Sequence, residues 1–463
     1  MIGITRVGTY FPRRRLDRGL LTKAWGTRAR GTRTVAAIDE DPLTMGIEAV
    51  TACVGDVPDG IDALYFASTS APYLEKQVAS MIVTAVDLPR STVVADFAGS
   101  TRTGLAALRT ALDGIGAGTL HRVLAVASDA RLAEPESALE AQLGDAAACI
   151  EVGSDDVVAE LVSTAGLAQE FTHFWRTDQQ RYVQLSDARF GNQYGYAADV
   201  PDAVTAALRK ADLPPENVAA YALAAPDARA AAAAAKRLGV NPETQLVAPL
   251  VEEAGVLGAP DPYVLLSRAL ETAKPGEFVV VAAYGEGADA LIFRATAALA
   301  AARPRPVADA LAGGLPLASY EKYLRARGVL PADVGGEFFS TYMEWQELAQ
   351  DVRLYGTRCG DCGLVQYPQN RVCHQCHSRE HMSEHKLAKH GVVFTYTIDN
   401  LAQVAEHPMP MVVVDLDGGG RVYMQGTDCA DGDIEIGARV RLTYRRLHEA
   451  GGNRNYYWKV RPA

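Results

Sequence analysis

Four cysteines in the last quarter of the chain have the spacing of a metal site. Two residues separate Cys359 from Cys362 and Cys373 from Cys376, and ten residues lie between the two pairs. Each pair can bind one metal ion from a tight turn, and both pairs together complete a tetrahedral thiolate site. All four positions are then filled by protein, so the spacing predicts a structural metal. Zinc is the expected ion, and iron in the same geometry is the alternative.

A second stretch, VVADFAGSTRTGLAALRTAL (93–112), has the pattern of an active-site turn without a cysteine. An apolar strand runs into Gly, Ser and Thr, and a helix follows. The N-terminus of a helix favours an anion and is a common place for a nucleophile. Ser100 and Thr101 are candidate hydroxyl nucleophiles, and Arg102 is a candidate cation for an acyl carboxylate or a phosphate. The alternatives are that Ser100 and Thr101 cap the helix and that Arg102 forms a structural salt bridge.

Alternating strands and helices must position that turn. Short apolar runs read as buried strands, and Ala-rich helical stretches lie between them, which predicts a layered α/β domain over residues 1–300. Pro and Gly then interrupt the pattern, so 301–350 is predicted as a linker and helical segment. The four-cysteine ribbon is placed at 351–390. Short strands over 391–463 predict a small all-β barrel.

Composition excludes several classes of function. The chain has 463 residues and a net charge of −11, which argues against general nucleic-acid binding. It lacks an uncharged apolar run of about 18 residues, so no membrane span is expected. The N-terminal residues lack the apolar core of a signal peptide. The clustered cysteines suit a reducing compartment, and the expected location is the cytoplasm.

Several motifs in order carry a family resemblance. GITRVGTYFPRRRL, AIDEDPLTMGIEAV, YFASTSAPYLEKQVAS, GDAAA and KPGEFVVVAAYGEGADAL together resemble 3-hydroxy-3-methylglutaryl-CoA (HMG-CoA) synthases of the thiolase superfamily. The resemblance covers nearly all of residues 1–297. Residues 318–463, with SYEKYLRARG and the four-cysteine ribbon, resemble the zinc-ribbon and OB-fold proteins that accompany thiolases and synthases of this group.

The resemblance implies a fold and a ligand class. The fold is the duplicated, layered α/β thiolase fold, followed by the zinc ribbon and an OB-fold barrel. A homodimer is expected, and the expected ligand or substrate is an acyl-CoA or related acyl thioester. The OB-fold module is expected to bridge partner enzymes or to help hold acyl-CoA.

The synthases' catalytic groups are missing at the matching positions. Their chemistry needs a Cys that takes the acyl group, a His that orients or polarises the incoming acyl group and a Glu that acts as general base. The Cys position falls at Gly99 when the strand is aligned and at Thr101 when the helix is aligned. Thr69 stands at the Glu position, and Ala224 or Ala225 at the His position. The resemblance therefore argues against Cys-based Claisen condensation.

Other polar residues remain as candidates near the expected site. The synthases' late Asn is replaced by a stretch that offers Glu252 and Glu253. The predicted substrate-binding set is Thr69, Gly99, Glu252 and Glu253. Asp129 and Glu75 join the two glutamates as candidate bases for a hydroxyl nucleophile.

Three functional hypotheses follow. The first is an enzyme, an acyltransferase or C–C lyase of lipid or polyketide metabolism, that makes or breaks a C–C bond at an acyl thioester without the usual Cys. The second is a non-catalytic subunit that binds acyl-CoA and docks a catalytic thiolase-family partner through its ribbon and OB module. The third is a synthase completed by the His-rich run HSREHMSEHKLAKH (377–390). The first is the preferred interpretation.

Overall fold

A computed structural model describes residues 1–26, 28–331, 340–401, 408–430 and 432–463. The chain divides into two compact units. The first comprises residues 1–37, 41–83 and 88–323, and the second comprises 38–40, 84–87 and 324–463. Part of the predicted linker and helical segment, 332–339, lies outside the described residues. The predicted domain boundaries stay predictions.

Strands and helices alternate through the first unit, as the sequence predicts. The strands are β1 Gly3–Tyr10, β2 Arg14–Asp17, β3 Thr32–Val35, β4 Ala63–Ala67, β5 Val93–Phe97, β6 Arg122–Asp129, β7 Ala146–Gly153, β8 Ala159–Ala168, β9 Phe174–Trp175, β10 Gln184–Leu185, β11 Val218–Leu223, β12 Phe278–Tyr284, β13 Gly287–Ala295 and β14 Leu315–Pro316. The helices are α1 Gly19–Trp25, α2 Pro42–Val54, α3 Val78–Ala85, α4 Thr103–Gly116, α5 Ala138–Gln142, α6 Ala188–Phe190, α7 Ala197–Lys210, α8 Ala228–Arg237, α9 Asp261–Thr272, α10 Val307–Leu311 and α11 Tyr320–Ala326. A π-helical turn, Gly191–Tyr196, leads into α7, and short 3₁₀ turns occupy Pro215–Asn217 and Ala297–Ala300.

One arrangement of strands and helices occurs twice in the main sheet of the first unit. The strand order is β11-β12-β13-β8-β1-β7-β6-β4-β5. In the first half β6, β7 and β1 are antiparallel neighbours and β4 lies parallel to β6. In the second half β12, β13 and β8 repeat that antiparallel set, and β11 lies parallel to β12. Helix α4 precedes β6 as α9 precedes β12, so the two helices are equivalent in the repeat.

The two faces of the sheet bury different helices. Side chains of successive strand residues point to opposite faces. Val279 and Val281 of β12 belong to the core that contains α4 and α9, whereas Val280 and Ala282 belong to the core that contains α7 and α8. Helix α4 also contacts α9 directly. The repeat therefore brings the equivalent helices α4 and α9 together on one face of the sheet.

From residue 340 onwards, the described residues of the second unit form two short helices and two small sheets. The helices are α12 Thr341–Gln346 and α13 Leu348–Asp351. The ribbon strands are β15 Tyr355–Cys359, β16 Val365–Gln366 and β17 Met382–Lys386, and the later strands are β18 His390–Asp399, β19 Met409–Leu416, β20 Arg421–Gln425, β21 Arg439–Ala450 and β22 Asn453–Pro462. The five-stranded sheet has the order β20-β19-β18-β21-β22.

The OB-fold sheet is partly open in the described residues, where the sequence predicts a barrel. Its two outer strands do not form a continuous ladder, although a parallel bridge joins Gly426, next to β20, to Val460 of β22. A partly open five-stranded barrel is typical of OB folds. None of the helices in the described part of the chain has both the length and the apolar composition of a membrane-spanning helix.

Candidate functional site

A cavity that opens to solvent lies in the first unit where α4 and α9 begin, and its empty space, the solvent at its mouth included, is about 550 Å³. Its apolar lining includes Leu139, Leu143, Phe174, Ala224, Ala225 and Val256. Its polar lining comprises Thr101, Arg131, Gln142, Tyr196, Asp261 and Tyr284. The cavity is mostly apolar with a few polar groups, which is the usual composition of a small-molecule site.

The structure brings only part of the GSTRTG turn to the cavity. Thr101 lines it, whereas Gly99 is exposed and has a φ of +95°. Of the two alignments that the sequence left open, Thr101 is the one that faces the cavity. The Thr101 hydroxyl donates a hydrogen bond of 2.7 Å to the carbonyl oxygen of Tyr284. The Ser100 Oγ atom is buried and has no hydrogen-bond partner in the described part of the chain.

Arg102 is held by the ends of neighbouring strands. Its guanidinium donates to the carbonyl oxygens of Leu167 (2.7 Å) and Glu286 (3.1 Å). It also lies 3.6 Å from the Asp289 carboxylate. These contacts balance the charge of a cation that the dipole of α4 disfavours at the helix N-terminus. The geometry fits the structural salt bridge that the sequence left as the alternative.

Thr69 lies beside Asp129, not among the residues that line the cavity. Its hydroxyl donates to Asp129 Oδ2 at 2.9 Å. Ser68 and Ser70 donate their hydroxyls to Oδ1, and the Ala259 amide donates to Oδ2. Asp129 is fully buried, and both carboxylate oxygens accept hydrogen bonds. It therefore organises the loops around it, and it lacks a free oxygen to act as the candidate base.

The remaining acidic candidates are exposed. Glu252 and Glu253 lie outside the lining of the cavity, and their backbone carbonyls accept hydrogen bonds from Thr32. Glu75 is exposed as well. The structure does not bring these three carboxylates to Thr101.

A buried carboxyl that the sequence reasoning missed does line the cavity. Asp261 is the first residue of α9 and is 6% exposed. Burial raises the pKa of Asp261 to about 7, although the Arg131 guanidinium opposes the shift. Burial also lowers the pKa of Arg131. An acidic residue that opens a helix after a Gly-rich turn was the available sequence signal, but that pattern is usual for a helix start.

Two tyrosines and a histidine next to the cavity were also missed. The hydroxyls of Tyr196 and Tyr284 are buried without a hydrogen-bond partner in the described residues, and so are both ring nitrogens of His173. Burial lowers the pKa of His173 and raises the pKa values of both tyrosines. The π-helical turn makes room for them: a Cβ on Gly191 would lie 2.2 Å from His173, and one on Gly195 would lie 2.1 Å from the Tyr284 hydroxyl. The two glycines of GNQYGY (191–196) were the available sequence signal.

The predicted metal ligands lie together in the second unit. The Sγ atoms of Cys359, Cys362, Cys373 and Cys376 are all within 4.8 Å of one another. The Cys359–Cys376 and Cys362–Cys373 Sγ–Sγ distances are each 3.5 Å. A tetrahedral ion with zinc–sulfur bonds of about 2.3 Å needs sulfur–sulfur distances of roughly 3.8 Å. The four thiolates therefore fit a structural zinc ion.

Family models match both parts of the second unit. Residues 346–381 match the ChsH2 rubredoxin-like zinc ribbon domain, and residues 384–445 match the ChsH2 C-terminal OB-fold domain. The first unit is similar in sequence to HMG-CoA synthases. That of Thermoplasma volcanium is 26% identical over 307 residues, which is 64% of this chain and 87% of the synthase. That of Methanosarcina mazei is 27% identical over 343 residues, which is 71% of this chain and 98% of the synthase.

The first unit has a thiolase-like fold, and its relatives in sequence are HMG-CoA synthases. A solved HMG-CoA synthase complexed with CoA superposes with a TM-score of 0.65 at 19% identity, over 74% of this chain and 94% of that structure. PksG, an HMG-CoA synthase from Bacillus subtilis, gives a TM-score of 0.61 at 17% identity, over 76% and 93%. FabH from Pseudomonas aeruginosa gives 0.58 at 17% identity, over 64% and 98%. The predicted fold, a synthase-like thiolase fold followed by a zinc ribbon and an OB-fold domain, is confirmed.

Proposed function

We propose that this synthase-like protein binds an acyl-CoA or related acyl thioester in the first unit's cavity and makes or breaks a C–C bond there without an acyl-cysteine. Support comes from the similarity to HMG-CoA synthases and from the content of the cavity. Thr101 is one of the two positions at which the resemblance places the lost Cys, and Ala224 and Ala225 are the two at which it places the lost His. The same cavity holds Asp261, Arg131 and buried tyrosine hydroxyls. These polar groups are the observation that carries the proposal, because buried polar groups are costly unless something satisfies them.

A route without an acyl-enzyme fits this geometry better than a hydroxyl nucleophile. A Ser or Thr hydroxyl is a weak nucleophile unless a base within hydrogen-bond reach accepts its proton. The Thr101 hydroxyl donates to a backbone carbonyl, which cannot act as a base. Ser100 has no hydrogen-bond partner in the described residues, so it lacks that base as well. We therefore expect binding and turnover without a covalent adduct.

A non-catalytic subunit is the second candidate. Thr69, Thr101 and Arg102 already form hydrogen bonds within the protein, which favours this candidate because a catalytic side chain must be free to contact the substrate. In that case the chain binds acyl-CoA and docks a thiolase-family partner through its ribbon and OB-fold unit. In both cases we propose a homodimer. We also propose a cytoplasmic location, because four metal-binding thiolates suit a reducing compartment.

The test is to incubate the full chain with a panel of acyl-CoAs and to follow three signals. Thermal-shift titration reports binding, intact-protein mass spectrometry reports covalent adducts, and liquid chromatography with mass spectrometry reports new thioesters. Binding and a new thioester without an adduct are the expected results. An adduct on Ser100 or Thr101 would establish the hydroxyl route. Binding without any product supports the subunit, and no binding by any acyl-CoA would overturn both candidates.

A further inference from the structure

We propose that residues 171–196, called the cover segment, close one side of the cavity at neutral pH and detach in acid, when the buried imidazole of His173 takes up a proton. This inference concerns the regulation of the proposed acyl-thioester site, and it rests on the proposed function only for the identity of the ligand. It is tested on the free protein, so the two proposals can fail separately.

The cover segment has little regular structure and supplies two walls of the cavity. It consists of the two-residue strands β9 and β10, the three-residue helix α6, the π-helical turn and the loops between them. Phe174 of β9 and Tyr196 of the π-helical turn both line the cavity. Such short elements form few backbone hydrogen bonds, so the attachment of the cover segment depends on its side chains.

The cover segment is attached through a small apolar cluster that is separate from the main core. Three of its side chains pack against three buried residues beneath them, and these six are Phe174, Val183, Leu185, Ala133, Leu139 and Leu143. Leu139 and Leu143 also line the cavity, so detachment of the cover segment exposes this wall to solvent. A segment with few buried apolar contacts has a low free energy of local opening.

His173 fills the space beneath the cover segment and has no group there to accept a charge. It is 2% exposed, and neither ring nitrogen has a hydrogen-bond partner within the described residues. Its ring centroid lies 4.2 Å from that of Phe174 and 5.8 Å from that of Tyr284. A Cβ on Gly191 would lie 2.2 Å from its Cδ2 atom. A protonated imidazole needs two acceptors, so this tight, mostly aromatic setting disfavours the charged form.

The sign of the pH effect follows from this burial. Burial lowers the pKa of His173 below its usual value near 6.5. When the cover segment detaches, water surrounds the ring and the pKa returns to that value. The closed state then binds fewer protons than the detached state, so the free energy of opening falls as pH falls through about 6.5.

The titratable group that faces His173 from the sheet is Tyr284 of β12. The charged neighbours of that tyrosine are Asp199 and Glu286. Burial raises the pKa of Tyr284, so it stays neutral through this range. The charged side chains of the cover segment are all exposed, and they are Arg176, Asp178, Arg181, Asp187 and Arg189.

The other buried titratable groups around the cavity do not explain opening in acid. Burial raises the pKa values of Asp199 and Asp261. A buried carboxyl of this kind stabilises the packed state more as pH falls, which is the opposite sign. Burial raises the pKa of Tyr196, so it stays neutral, and Arg131 stays charged. His173 is therefore the group whose protonation favours the detached state.

The test is hydrogen exchange of the free, full-length protein at about pH 5 and about pH 7.5, corrected for the intrinsic exchange rate at each pH. Wild type is compared with His173→Leu, which keeps an apolar side chain of similar size that cannot take up a proton. His121→Leu is the matched control, because His121 is an exposed histidine of the same unit.

Wild type is expected to lose protection over residues 171–196 at least about fivefold at the lower pH, while β6 and β12 keep theirs. His173→Leu is expected to show equal protection of the cover segment at both pH values. His121→Leu is expected to behave as wild type.

Gly191→Ala keeps the test decisive if His173→Leu does not fold. The backbone at Gly191 has a φ of −59°, which any residue adopts, so the added methyl group acts only by displacing His173. This variant is expected to lose protection over residues 171–196 at about pH 7.5, as wild type does at about pH 5.

Equal protection of wild type at both pH values, or the same loss in acid in His173→Leu, would overturn this inference. Wild-type protection of Gly191→Ala at the higher pH would overturn it as well. Failure of every acyl-CoA to bind would overturn the proposed function and leave the opening of the cover segment in acid standing.

Discussion

The Tyr263 hydroxyl of α9 donates a hydrogen bond of 2.6 Å to the carbonyl oxygen of Gly104 in α4. The bond ties together the first turns of the two helices that the internal repeat makes equivalent. Next to it a Cβ on Gly104 would lie 2.4 Å from the carbonyl oxygen of Ala259. At the cavity, the backbone of α4 therefore lies so close to the residues that precede α9 that only glycine fits at position 104.

Gly104→Ala is expected to force α4 and α9 apart. Overpacking of this kind costs about 1–3 kcal/mol, and here the obstacle is backbone, which yields little. Hydrogen exchange over α4 measures the loss of protection. Gly116→Ala at the end of the same helix is the control, because its Cβ would meet its nearest neighbour at 3.8 Å. Equal protection in the two variants would contradict the account of the close approach.

Arg102→Gln is expected to destabilise the first unit without weakening thioester binding selectively. The change removes the ion pair with Asp289 and leaves the carbonyls of Leu167 and Glu286 short of donors, at a cost of about 1–3 kcal/mol. The thermal midpoint and acyl-CoA titration are measured together. Arg109→Gln, which alters an exposed pair on α4, is the control. Lost binding with unchanged stability would instead restore Arg102 as a ligand-binding residue.

The pH dependence of stability is expected to change in Asp261→Asn. In the folded state Asp261 keeps its proton up to about pH 7, whereas the unfolded chain releases it near 3.8. The folded state binds more protons between these values, so wild-type stability falls, relative to the variant, as pH rises from about 4 to about 7. Over this range the free energy of unfolding of wild type falls, relative to that of the variant, by at most about 4 kcal/mol.

Arg131 and Tyr196 line the same cavity as Asp261, so both residues are kept unchanged in the two proteins that are compared. The thermal midpoints of both proteins are measured from pH 4 to 8. Tyr221→Phe is the control, because burial raises the pKa of Tyr221 and moves it further above this window. Parallel curves for wild type and Asp261→Asn would show that Asp261 is ionised throughout.

The four-cysteine site is expected to hold one zinc ion per chain. Inductively coupled plasma mass spectrometry of the purified protein measures the zinc content. Cys373→Ala removes a buried ligand and is expected to lose the metal and lower the thermal stability of the second unit. Cys429→Ser is the control, because Cys429 lies outside the cluster. Full zinc content in Cys373→Ala would contradict the assignment.

A buried ion cluster is expected to stabilise the second unit. The fully buried Arg445 pairs with Glu40 and, at 2.6 Å, with Asp428. Arg445→Met leaves two buried carboxylates short of a cation and is expected to cost about 3–5 kcal/mol, measured by hydrogen exchange over β21 and β22. Arg439→Met, which breaks an exposed pair with Asp417, is expected to change little. Equal losses of protection in Arg445→Met and Arg439→Met would contradict the expected difference between a buried and an exposed ion pair.

The sequence by itself determined the fold and the metal site. Ordered motifs and alternating apolar runs predicted the layered fold, because buried strands and helices each need a characteristic spacing. Cys359, Cys362, Cys373 and Cys376 could be assigned to one ion because each pair is local in the chain. The same motifs located the turn around Thr101, since its strand and helix are adjacent in sequence.

Only the tertiary structure decided which polar residues line the cavity. Asp261 and Tyr196 come from segments far apart in sequence, and each has an ordinary local pattern, a helix start and a polar turn. Their burial, the unpaired hydroxyl of Tyr196 and the raised pKa values of both groups arise when α9 and the π-helical turn pack around one space. Arg102 was ambiguous for the same reason, because its partners in β8 and in the turn between β12 and β13 lie more than 60 residues away. Local spacing fixes elements and local ligands, whereas long-range packing sets the environment that gives a side chain its chemistry.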